Sequence, residues 1–371
     1  MERADLSARD STLSPPAAIG RARIAAMSRL AADIDLFADG KAHGFLRVPH
    51  SVHRSAYGWI PIPIARIRNG DGPSVLMVAG NHGDEWEGQI ALGNLIRAIE
   101  PRHVRGRLVV LPSLNFPAAM AGSRTSPIDD GNLNRAFPGD ANGGVTQQIA
   151  YWVEHALLPG FDFGFDFHSG GSSLAYVPSA LVPRDPDRDR MECLIGLLRA
   201  FGAPISYIAA APQGGDRTFT SAGHRQGVLV MATELGGGGT VSREALRTAE
   251  DGMRRVLAHV GLLRGLAVPP PTATRLTELG GDDYYVYASE SGVFEPLTEL
   301  GEEVAAGQPA ARIHLHHTPW REPVLLRFAR AGLVLCKRIP ARCERGDCLF
   351  HLATDLHDRT ESRSADGEHA T

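Results

Sequence analysis

His82 and Glu85 stand three residues apart in Gly80-Asn81-His82-Gly83-Asp84-Glu85, and both are residue types that bind metal. A neutral imidazole and a carboxylate are good zinc ligands. Their spacing puts both side chains toward one side of a tight turn. Two protein ligands do not hold a catalytic ion, so a third is expected, with one position left for water. His168, in Asp166-Phe167-His168-Ser169-Gly170-Gly171, is the candidate. Asp166 lies two residues earlier and shares a strand face with it. A carboxylate there would accept the second ring N–H of a zinc-bound histidine, with His82 the expected partner.

Glu234 ends an apolar stretch and precedes four glycines, Gly236 to Gly239. It reads either as a general base for a metal-activated water or as a capping or solvated glutamate before a flexible loop. Residues 124–139 (RTSPIDDGNLNRAFPG) are polar and turn-rich, with Asn134 beside Arg135 and Arg124 upstream. Arg presents a planar fork that suits a carboxylate, and Asn adds directional hydrogen bonds. The segment reads as a substrate anchor or as a surface loop with an ordinary ion pair. The chain has 15 histidines. His53, His155, His224 and His259 read as ordinary polar residues, and Leu315-His316-His317 as a polar turn.

The elements that must carry these residues alternate. Ile60 to Ile67, Ser74 to Ala79, Arg107 to Leu111, Phe161 to His168 and Val228 to Glu234 read as strands. Glu87 to Ile99, Thr146 to Leu158, Met191 to Phe201 and Ser242 to Leu263 read as helices, with Thr146 the expected cap of its helix. Such alternation predicts an α/β fold with a mostly parallel sheet flanked by helices, its ligands at the carboxyl ends of the strands. Leu266 to Thr274 holds three consecutive prolines and reads as a linker. Beyond it, Tyr284 to Ala288, Gly292 to Pro296, Gln308 to His314, Val324 to Ala329 and Leu333 to Lys337 read as short strands of an all-β unit. The expected division is an N-terminal arm (1–40, with a short helix around Ile24 to Ala32), an α/β domain that carries the candidate zinc site (41–265), a β domain (275–356) and a disordered tail (357–371).

The 371 residues, 43% of them hydrophobic, suffice for two packed units. A formal charge of −4 gives no electrostatic case for nucleic acid or an anionic membrane. No apolar run approaches the roughly 20 residues that span a bilayer, and the N-terminus lacks the pattern of a secretory signal. Cys193, Cys336, Cys343 and Cys348 form no C-x-x-C pair and read as free thiols, which fits a cytoplasmic location.

Taken together, G-N-H-G-D-E, N-L-N-R-x-F-P-G, D-F-H-S-G-G and T-E-L-G-G resemble the succinylglutamate desuccinylase/aspartoacylase family, within the zinc carboxypeptidase-like fold. The resemblance implies one zinc ion per chain on His82, Glu85 and His168, with Glu234 as general base. It implies Asn134 and Arg135 as carboxylate anchors and Arg124 as the group that polarises the scissile carbonyl. H-G-F-L-R-V-P from His43 and S-R-T-S-P-I-D-D-G-N-L-N-R-A-F-P-G narrow the likeness to the deacetylases of ectoine breakdown, with Trp86 where tyrosine is expected. The implied activity is hydrolysis of a small N-acyl amino acid, N-α-acetyl-L-2,4-diaminobutyrate first among them. A deacylase of succinylglutamate or acetylaspartate, a carboxypeptidase and a binding protein on the same scaffold are the alternatives.

Extra Arg or Lys in the pocket would favour an acidic side chain; a spare Asp or Glu, with Asp129 and Asp130 the candidates, would favour an amine. The C-terminal β domain resembles a biotinyl or lipoyl carrier barrel without the Met-Lys-Met hairpin, so it reads as a structural or pocket-rimming module. The partner is a small molecule, and a homo-oligomer is left open.

Overall fold

The computed structural model describes residues 29–209 and 215–356. Most of the N-terminal arm and the whole tail 357–371 lie outside that range. Of the helix expected around Ile24 to Ala32, the described end is a short strand instead, β1 (Ala31–Ala32).

The strands of the catalytic region are β2 (Gly40–Pro49), β3 (Trp59–Asn69), β4 (Ser74–Ala79), β5 (Gly106–Leu111), β6 (Phe163–His168), β7 (Leu174–Tyr176), β8 (Ser179–Pro183), β9 (Ile205–Ala209), β10 (Leu229–Glu234) and β11 (Arg275–Leu279). At the centre β5, β4, β6 and β10 run parallel. β8, β9 and β11 are parallel to one another and opposed to β10.

The central strands are apolar without interruption because both faces are covered. Alternate residues part to opposite sides. Val75, Met77, Phe165 and Phe167 join one core, with Leu92 and Leu95 of helix α1 (Trp86–Ala98). Leu76, Val78, Val109 and Leu111 join the other, with Trp152 and Phe137.

Among the described residues five further α-helices follow: α2 (Phe116–Ala121), α3 (Val145–Trp152), α4 (Arg188–Phe201), α5 (Phe219–Arg225) and α6 (Arg243–His259). Several helix ends differ from expectation. Thr146 is inside α3 rather than at its cap, because Asp129 performs the capping: its Oδ2 accepts from Thr146 N at 2.8 Å and its Oδ1 from Thr146 Oγ1 at 2.7 Å. The last expected turns of that helix form a π-turn, Val153–Leu157. α6 begins as expected, with Ser242 capping Ala245 N, but stops at His259.

The remaining strands are β12 (Tyr285–Tyr287), β13 (Gly292–Pro296), β14 (Glu303–Val304), β15 (Pro309–His314), β16 (Val324–Arg327), β17 (Gly332–Arg338), β18 (Arg342–Cys343) and β19 (Cys348–Asp355). β16, β15, β13 and β18 make a separate four-stranded antiparallel sheet. It packs over Phe294, Phe328 and Phe350 against β12, β19, β17 and β14. This β unit does not stand apart from the first sheet. β11 pairs with β9 on one side and β19 on the other, and β17 pairs with β7. The four cysteines are free, and Cys336 and Cys343 are buried. Among the described residues no helix is long and apolar enough to cross a membrane.

Continuous ladders predict cooperative unfolding. Calorimetry of the full chain should show one endotherm; two resolved transitions would mean that the β unit melts independently.

Candidate metal centre and active site

Strands β4, β6 and β10 are neighbours and end together. Ala79 pairs with Phe167, and Glu234 pairs with His168. The loop after β4 therefore opens beside the last residue of β6, and the last residue of β10 lies alongside. Gly80 turns this loop at φ +69°, and Gly83 passes so close to α2 that a Cβ would sit 2.0 Å from the carbonyl carbon of Ala118. A residue with a side chain at 83 would push the loop off its support.

The three expected ligands converge. His82 Nδ1 lies 2.7 Å from Glu85 Oε1, and His168 Nδ1 lies 2.7 Å from Glu85 Oε2. One donor atom from each lies within 4.8 Å of the others, and all three residues are buried. The outer nitrogens are also engaged: His82 Nε2 with Asn132 Oδ1 at 3.2 Å, and His168 Nε2 with Asp166 Oδ2 at 2.8 Å. With the proton on each Nε2, both Nδ1 lone pairs face inward, the arrangement a metal needs. Asp166 thus orients His168, its strand neighbour, and not His82 as expected. Asn81 Nδ2 in turn donates to both oxygens of Asp166, at 2.8 and 2.9 Å.

The electrostatics fit a cation. Burial alone would raise the Glu85 carboxyl, yet His82 and His168 beside it hold it well below the ordinary carboxylate range. Burial lowers His82, with Glu85 opposing. Burial would also lower His168, but Asp166 and Glu85 drive it well above 6.5. A divalent ion would take the place of that proton.

Glu234 is expected near this cluster and is there, lining a cavity of about 220 Å³ with His82, Glu85 and His168. Its Oε2 is buried without a hydrogen-bond partner. Burial, reinforced by the charge of Glu85, pushes its carboxyl well above the ordinary range. Arg124 Nη1 lies 3.4 Å from His82 Nδ1 and 3.5 Å from Glu85 Oε1, at the open side of the cluster.

Arg135 and Asn134 also line the cavity. Burial lowers Arg135, as do Arg124 and Arg217 nearby. Asn134 is already engaged through its Oδ1, which accepts from Phe219 N at 2.8 Å. Asp129 caps α3, and neither it nor Asp130 lines the cavity. His316 and His317 are exposed in a turn.

Other contributors were not foreseen. Asn132 holds the outer nitrogen of His82, and Asn81 holds Asp166. Asp84 Oδ2 accepts from Ser172 N and Oγ, at 2.8 and 2.7 Å, and so ties the loop after β6 to the loop after β4. Tyr176, Tyr207, Tyr285 and His351 complete the far wall. Their strands are short or lie beyond the linker, so no local pattern marks them as neighbours of the metal cluster.

The succinylglutamate desuccinylase/aspartoacylase catalytic domain matches residues 71–260, the stretch that carries every candidate ligand, the general-base candidate and both arginines. The chain belongs to this family. Along its length it is 38% identical to an N-alpha-acetyl-L-2,4-diaminobutyric acid deacetylase from Halomonas elongata, over 88% of this chain and 95% of that protein. The product-bound ectoine utilization protein EutE (DoeB) from Ruegeria pomeroyi superposes with a TM-score of 0.84 at 39% identity, covering 88% of this chain and 99% of that one. A succinylglutamate desuccinylase/aspartoacylase from Rhodobacter sphaeroides gives 0.84 at 37%, covering 89% and 100%. These family relations make the chain a hydrolase that removes acyl groups from amides.

Two outcomes are expected of the metal centre. Asp166→Asn should weaken metal binding by about 10- to 100-fold, because His168 loses the carboxylate that holds its proton on Nε2. In the unaltered enzyme, affinity should fall as pH drops through the raised pKa of His168, since the proton then competes for Nδ1. Competition with a chromogenic chelator at about pH 8.5 and about pH 6 measures both. Equal affinity at the two pH values would contradict the assigned ligand.

Proposed function

We propose that this family member is a zinc-dependent deacetylase that hydrolyses N-α-acetyl-L-2,4-diaminobutyrate to acetate and L-2,4-diaminobutyrate in the cytoplasm. The observation that carries the reading is one cavity lined by a His-Glu-His cluster, a carboxylate with a free oxygen and two arginines. Similarity over nearly the full length of the named deacetylase supports the substrate. Two imidazoles and one carboxylate suit zinc with a position left over.

When bound by His82, Glu85 and His168, the ion supplies Lewis acidity toward water and the acyl oxygen. Arg135 takes the α-carboxylate through its planar fork and fixes the amide in the cavity. Asn134 contributes by tying the start of α5 to the 124–139 segment, and it lines the cavity beside Arg135. Glu234 accepts a proton at Oε2 from the attacking water, then delivers it to the amide nitrogen as the C–N bond breaks. A carboxyl raised by burial takes up a proton more readily than an ordinary carboxylate. Arg124 donates to the oxygen on which negative charge develops.

Glu234→Gln should keep a full complement of metal while kcat falls by about 10²- to 10⁴-fold. Near-normal turnover would remove Glu234 from the mechanism. Arg124→Ala should act mainly on kcat, by about 10²- to 10³-fold, and Arg135→Ala mainly on KM. An amine-release assay should rank acetyl-diaminobutyrate above acetylaspartate and succinylglutamate, and a chelator should abolish all turnover. Preference for either dicarboxylate would overturn the substrate.

A further inference from the structure

His351 is 3% exposed, and neither ring nitrogen has a hydrogen-bond partner. Leaving both sites of a buried imidazole unsatisfied is costly, so such a residue calls for a ligand. The residue lines the same cavity as the metal cluster, although it comes from β19 in the C-terminal unit.

Its placement is built by the sheet. Tyr285 pairs with His351, His351 with Cys336, and Cys336 with Tyr176, a row across β12, β19, β17 and β7. The imidazole lies flat on Tyr285, with centroids 4.4 Å apart and planes 11° apart. Tyr176 meets it edge-on at 6.4 Å. Tyr207 is buried on the same wall, and Glu234 is near enough to push both Tyr176 and Tyr207 upward, after burial itself. Burial holds His351 down at about 3, so its ring is neutral and keeps one acceptor nitrogen at any physiological pH.

The charges are divided. Among the described residues that line the cavity, the arginines are Arg124 and Arg135, and both act on the metal side. The wall of Tyr176, Tyr207, Tyr285 and His351 carries no cation. A second carboxylate placed there would be buried without a counter-charge. A primary ammonium would find an imidazole acceptor, aromatic rings and the nearby Glu234.

We propose that His351, with Tyr176, Tyr207 and Tyr285, forms the subsite for the substrate's side-chain ammonium group. The proposal deepens the deacetylase reading and rests on it for the substrate. Asp129, a carboxylate that could have taken this part, is committed to α3. The C-terminal unit then sets specificity, while the first sheet supplies the chemistry.

The test compares N-α-acetyl-L-2,4-diaminobutyrate with N-acetyl-L-norvaline, whose terminal methyl replaces the ammonium at equal length, using the full-length, metal-loaded enzyme. His351→Phe keeps the ring and removes the acceptor. It should lower kcat/KM for the ammonium substrate by about 10- to 100-fold, mostly through KM, and leave the norvaline substrate within about threefold. His351→Gln, which restores an acceptor, should recover part of the loss. Equal losses on both substrates would mean a packing role, and no loss on either would mean no contact; each overturns the proposal.

Calorimetric titration with L-2,4-diaminobutyrate and with L-norvaline reads the subsite without turnover. His351→Phe should weaken binding of the first alone. If the unaltered enzyme cleaves no acetyl-diaminobutyrate yet binds diaminobutyrate through His351, the subsite stands and the substrate assignment falls. Turnover and binding that are both indifferent to His351 would remove the subsite and leave the assignment intact.

Discussion

A carboxylate with almost no surface stays ionised only in cationic company, and Glu85 is such a carboxylate. Both its oxygens are claimed: Oε1 by His82, Oε2 by His168 and by the backbone N–H of Ser169 at 3.2 Å. The residue also stands at the N-cap position of α1, where the helix dipole favours negative charge. Two separate stretches of chain thus meet at one carboxyl group. Removing either imidazole would leave a charge buried and short of partners, which is far costlier than never burying it. The loops after β4 and β6 are held in register by that requirement as much as by packing.

The sheet makes the meeting feasible. Parallel strands present their carboxyl ends at one edge, and here β4, β6 and β10 end in register. Apolar residues on both faces lock that register, because sliding any strand by one residue would exchange its two cores. The polar groups can therefore be few and exactingly placed: Asn81 on Asp166, Asp166 on His168, Asp84 on Ser172. Each fixes an atom that a ligand or its supporting loop needs.

The parts of this design that show in the sequence are those with a local cause. Ser74 to Ala79 reads as a buried strand because it is apolar throughout between turn residues, and those are its observed ends. His82 and Glu85 are visible because their loop follows such a strand, and His168 and Glu234 because each ends one. What stayed hidden depends on distance along the chain. That Asp166 serves His168 instead of His82 is decided by the turn of the β4 loop, which carries the second ring nitrogen of His82 to Asn132. That Thr146 is not a cap follows from Asp129, 17 residues upstream, reaching into the helix start. β11 and β19 carry no sign that they extend the first sheet, since the proline-rich stretch before them reads as a break.

That extension changes what the β unit can do. A module tethered only by a linker could not hold a side chain steadily enough to select between substrates, because recognition of a buried group needs its partner fixed. Here His351 lies in a hydrogen-bonded row that ends at Tyr176, only eight positions beyond the proposed ligand His168 and in the chain that leads from it. Backbone ladders therefore join the far wall to the metal wall. An arginine on that far wall would suit a second carboxylate; a neutral imidazole among tyrosine rings repels no cation and offers a lone pair. With the proposed subsite, substrate choice in this scaffold turns on which residues the C-terminal strands bring to the cavity, and the proposed hydrolytic groups can stay the same.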